Sequence, residues 1–174
     1  MSHKLLSLSI FEVINKNLNS MKNTVIKYGM YGLLAGVIIF TLHLTLGIGN
    51  LEYSINEILG YVSIFLSLSF VFFGIRHYRD QVNNGKVSLG KAIAIGVLIS
   101  ILVGLGIALA DFIYTKFIDP SFFSNYEKML IEQGKEDEII EMTSATAALF
   151  MLVLVTIIGF IISLISGLIL QRKN

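Results

Sequence analysis

Residues 76–111 read RHYRDQVNNGKVSLGKAIAIGVLISILVGLGIALAD. A short polar segment with Arg76, Arg79, Lys86 and Lys91 runs straight into a long apolar one whose small residues, Ala92, Gly96, Ser100, Gly104 and Ala108, recur every fourth position. A four-residue repeat of small side chains lays a shallow groove along a helix, into which a second helix can settle inside a bilayer. Basic residues beside a spanning segment fix which side of the membrane a loop stays on. The stretch therefore predicts a turn at a membrane face followed by a closely packed transmembrane helix.

The rest of the 174-residue chain has the same character. Hydrophobic residues make up 55% and charged residues 14%, with mean hydropathy +0.77, outside the range of soluble domains. Net charge is +1, which gives no reason to expect nucleic acid as a partner. Cysteine is absent, removing disulfides, thiolate metal sites and thiol nucleophiles together. Tryptophan is absent as well, so Tyr and Phe must form any aromatic belt.

Working outward, four uncharged or nearly uncharged runs are long enough to cross a hydrocarbon core of about 30 Å. They are residues 28–46, 58–75, the helix after Ser88, and 145–170. Gly32 and Gly36 in the first span mark close helix approach, and Gly159, Ser163 and Gly167 in the fourth repeat the spacing of the third. The third and fourth spans are the expected tight pair. Residues 47–57 form a short loop without Lys or Arg. Asn83, Asn84 and Gly85 tolerate positive φ and reverse the chain, and Ser88 can cap the third helix. Asp80 can pair with Arg76 or with Lys86, a contact expected to be structural.

Two amphipathic segments flank these spans. Residues 5–18 place Leu6, Ile10, Val13, Ile14 and Leu18 at helical spacing. They form either an N-terminal surface helix or an extension upstream of a natural start at Met21. This gives an extension over 1–20 and a four-span unit over 21–174. Between spans three and four, Asp119 and Pro120 resemble an N-cap with proline at the first helical position. Phe122, Phe123, Tyr126, Met129, Leu130 and Gln133 then share one face until Gly134, as in a helix lying on a membrane surface. The fold class expected is all-α: four transmembrane helices, an external amphipathic helix and an N-terminal amphipathic helix.

Ten of the 13 Lys and Arg residues fall on one side: Lys4, Lys16, Lys22, Lys27, the four of the polar turn, Arg172 and Lys173. Both termini are therefore expected in the cytoplasm of a bacterial inner membrane. Candidate chemistry is sparse. His43 lies near the outer end of the first span without a second ligand in sequence, which favours an interfacial role over a metal site. Glu136, Asp137, Glu138 and Glu141 lack the spacing of a calcium loop and read as a solvated face. Asp111 lies about 33 Å along the third helix at ~1.5 Å per residue, which predicts an interfacial carboxylate pairing with Lys116 or a nearby loop. A proton-carrying site is the competing reading. No catalytic constellation, cofactor motif or metal cluster is present, so no enzyme activity, cofactor or metal is expected. The expected partners are lipid and either another membrane protein or further copies of the chain.

At YRDQVNNGKVSLGKAIAIG, followed by FIDPSFF, the chain resembles a family of small bacterial membrane proteins known as domain of unknown function 4199. The matching positions are Tyr78, Arg79, Asp80, Gly85, Ser88, Gly90, Lys91, Ala92, Asp119 and Pro120. The resemblance covers Met21 to the carboxyl end. It implies the four-span architecture and carries no activity or catalytic residues with it.

Overall fold

The computed structural model of the chain describes residues 2–47 and 53–172. Five α-helices account for most of them: α1 (Ser2–Gly47), α2 (Tyr53–His77), α3 (Leu89–Ile113), α4 (Phe122–Glu132) and α5 (Ser144–Leu170). Short π-helical turns, Tyr78–Val82 and Tyr114–Ile118, prolong α2 and α3. Among the described residues, four segments are long and apolar enough to cross a membrane: Leu18–Thr45, Ile58–Val82, Leu89–Ile118 and Ser144–Leu170.

Helix α3 is the centre of the bundle. It is apolar on every side, as a helix surrounded by other helices and lipid must be, and it packs against α1, α2 and α5. Toward α5 it presents the small-residue stripe. Gly96 faces the Ser163 side chain, Ser100 faces Gly159, Gly104 faces Leu152 and Thr156, and Ala92 faces Gly167, so the two helices run antiparallel. Toward α1 it presents Leu102, Val103 and Ile107, which fill the surfaces left by Gly29, Gly32 and Gly36, while Gly106 accepts Leu33 of α1. The residue numbers rise together along this second contact, so α1 and α3 are parallel. Ile64, Leu68, Val71 and Ile75 of α2 complete the core at helical spacing.

Three serine hydroxyls within this apolar interior are satisfied along their own helices. Ser67 Oγ donates to Ser63 O at 2.8 Å, Ser100 Oγ to Gly96 O at 2.8 Å and Ser163 Oγ to Gly159 O at 2.6 Å. These three hydroxyls need then seek no partner across the bundle. The outer faces are apolar too, with Ile38 and Leu42 of α1, Phe65 of α2, Leu109 of α3 and Leu149 and Ile169 of α5 all exposed. A surface so continuously apolar belongs against lipid, and the chain is a multi-pass membrane protein.

Two boundaries differ from the sequence expectation. The backbone of α1 is one unbroken helix from Ser2 to Gly47, with no separation at residues 18–21. The side chains of residues 1–14 lie outside the described set, as does the short connection at 48–52. Helix α2 begins at Tyr53, inside the segment expected as loop.

Candidate functional site

The two ends of the bundle are built differently. At one end the polar turn locks α2, α3 and α5 together. Asn84 and Gly85 adopt φ of 51° and 78°, the left-handed values that reverse the chain. The Gly85 amide donates to Arg79 O at 2.7 Å, and Asn83 Nδ2 donates to Lys86 O at 2.7 Å. Ser88 caps α3 by accepting from the Lys91 amide at 3.4 Å. Tyr78 is fully buried, with the Lys91 ammonium 5.6 Å from its ring centre.

Asp80 takes its closest partner from the adjacent residue. Arg79 Nε and Nη2 donate to its two carboxylate oxygens at 2.6 and 3.0 Å, while Arg76 stands at 3.6 Å. Lys86, weighed as a partner from sequence, makes no ion pair with it. Held by Asp80, Arg79 points its remaining nitrogen at the last carbonyl of α5, Leu170 O, at 3.5 Å. The Arg172 amide adds a bond to Val87 O at 3.0 Å. Tyr78, Arg79, Asp80 and Gly85 thus form a clasp on the end of α5.

The other end holds a cavity of about 370 Å³. Phe40, His43 and Leu44 of α1 line it, with Gly60, Tyr61 and Ile64 of α2 and Ala147, Phe150, Met151 and Leu154 of α5. Phe122, Phe123 and Tyr126 of α4 and residues Glu138, Ile140 and Met142 form its roof. The roof is tied down locally. Asp119 Oδ1 accepts from the Ser121 amide at 3.2 Å and its hydroxyl at 2.6 Å, so Asp119 and Pro120 do nucleate the turn, although regular helix starts two residues later at Phe122. The Phe122 ring packs edge-on against Tyr114, at 6.3 Å between centroids, and Gly134 ends α4 with φ 68°.

Helix α3 contributes one side chain to this cavity, and it is Asp111. The residue is 8% exposed, and its Oδ2 has no hydrogen-bond partner among the described residues. The expected pairing with Lys116 is not formed. The Lys116 ammonium lies over the rings of Phe112 and Phe117, at 5.0 and 5.7 Å, on the outside of the helix. Asp111 is buried and Lys116 exposed, so the two side chains occupy different faces of the helix. His43 stands across the cavity on Gly60, where an added Cβ would come within 3.3 Å of its ring, and 5.8 Å from the Phe40 centroid.

Among the described residues, no three His, Cys, Asp or Glu side chains converge as metal ligands. Glu136, Asp137, Glu138 and Glu141 are exposed, with Lys135 3.5 Å from Glu138. Sequence reasoning found Asp111 but not its setting, and it missed the cavity. The available signal was that Asp111 and His43 lie in the final turns of two spans otherwise poor in polar residues.

No curated protein and no solved structure matches the chain. The model of one family, described as protein of unknown function (DUF4199), matches residues 27–172, which takes in the clasp, the roofed cavity, most of the first candidate span and all of the other three. The chain belongs to the DUF4199 family.

Proposed function

We propose that the protein is a non-catalytic interaction protein of the bacterial cytoplasmic membrane, with both termini and the polar turn in the cytoplasm. The observation that carries this reading is the length of α1. Its 46 residues extend about 69 Å at ~1.5 Å per residue, more than twice a hydrocarbon core. The uncharged run begins only at Tyr28, so the residues well before it continue past the bilayer on the side of the clasp. Their sequence sets Leu6, Ile10, Val13 and Ile14 along one side of that arm, with Lys4 and Lys16 elsewhere. An apolar stripe on a projecting helix is the shape by which one helix engages another in a groove.

A photo-crosslinking residue at Ile10 of the full-length protein, in intact membranes, tests this directly. A single discrete adduct with another protein or a second copy, lost when Leu6 and Ile14 are changed to Ser, is the expected result. Crosslinking to lipid alone would remove the reading. A second reading, a small transporter, draws on Asp111, because a carboxylate buried within a membrane bundle is a common mark of solute or proton handling.

A further inference from the structure

We propose that the cavity under α4 is a binding site for a small primary amine with an apolar body, whose ammonium group is received by Asp111. The cavity has the dimensions of ordinary small-molecule sites, which run from about 300 to 1,000 Å³. Its walls are apolar and aromatic, including Phe40, Tyr61, Phe122 and Phe150, and bury the body of such a ligand.

The polar group decides the ligand's head. Asp111 lines this space, and its buried Oδ2 has no donor among the described residues, which is costly to maintain. The nearest cation in sequence, Lys116, is held on the outer face over two rings. A ligand that brings a donor satisfies this oxygen, and an ammonium brings both a donor and the balancing charge. Aromatic faces around a carboxylate favour the same head group, because ring quadrupoles attract cations. An acid or phosphate would meet Asp111 and Glu138 as like charges. A second cavity, about 200 Å³ near Lys27 and His77, has no comparable unpartnered group among the described residues.

The test uses 4-phenylbutylamine and its uncharged counterpart 4-phenylbutanol, titrated calorimetrically into the full-length protein in detergent. The wild type should bind the amine at least 10-fold more tightly than the alcohol. Asp111→Asn should weaken the amine at least 10-fold and leave the alcohol unchanged. Partition into micelles is common to both proteins and cancels in that comparison. Equal amine affinity in the two proteins overturns the proposal, as does the absence of saturable amine binding to the wild type. Should Asp111→Asn fail to fold, the wild-type preference decides, and equal binding of amine and alcohol overturns it.

Discussion

Arg79 reaches from the end of α2 to Leu170, the final residue of α5, while both nitrogens on its other edge are held by Asp80. The contact joins residues 91 apart in sequence. It closes the bundle at the end where the last helix would otherwise finish with bare carbonyls.

The clasp separates packing from hydrogen bonding. Tyr78 is fully buried, yet its hydroxyl has no partner among the described residues. Tyr78→Phe should be neutral or slightly stabilising, because it removes an unsatisfied polar group. Tyr78→Ala should cost about 3 to 5 kcal/mol, as loss of a buried aromatic ring does. Thermal melts in detergent distinguish the two. A Phe variant that melts as low as the Ala variant would show that the hydroxyl is bonded.

Gly104 lies where α3 meets α5. A Cβ there would come within 3.0 Å of Leu152 Cδ1 and 3.3 Å of the Leu152 carbonyl oxygen. Gly104→Leu should cost about 1 to 3 kcal/mol by overpacking. Ile101→Leu, on the exposed face, should cost almost nothing. Equal melting of the two variants would place the glycine stripe against lipid.

Asp111 should be a destabilising residue in the empty protein. Replacing it by Leu removes a buried carboxylate oxygen with no donor, and the gain expected is about 1 to 3 kcal/mol. The melting temperature should rise, in the usual trade of stability against a binding group. A fall would mean that Asp111 has a partner within the bundle.

Topology is testable because the chain has no native cysteine. With single cysteines at Asn84 and Gln133, an impermeant maleimide applied to intact cells should label Gln133 and spare Asn84. Both side chains have exposed or half-buried surroundings at opposite ends of the bundle, so reagent access is not limiting. The opposite pattern would invert the orientation.

Features repeated along a single helix were legible in the sequence. The stripe from Ala92 to Ala108 and the matching Gly159, Ser163 and Gly167 gave the α3/α5 contact, because a period of four on an apolar helix already defines a face. The Asn84 and Gly85 turn and the Ser88 cap were equally local. What escaped was produced by several segments meeting. Distance along α3 put Asp111 near a membrane face, but the cavity it lines also takes residues from α1, α2, α4, α5 and the 138–142 segment. The Arg79 and Asp80 pair was missed because side chains of adjacent residues usually point apart, and the π-helical turn at Tyr78–Val82 changes that spacing.

The alternation of glycine and serine on α3 and α5 also fixes the phase of their pairing. In the observed alignment each serine meets a glycine: Ser100 with Gly159, and Ser163 with Gly96. Sliding α5 by one turn in one direction would oppose Ser100 to Ser163 and leave Gly96 facing Gly167. Sliding it the other way would oppose Ser100 to Val155 and Gly96 to Gly159. Either slip joins a steric conflict to a void one turn away, whereas an unbroken run of glycine would accept all three alignments. The two helices therefore carry a positional code, and the final span can reach its place at only one depth relative to α3.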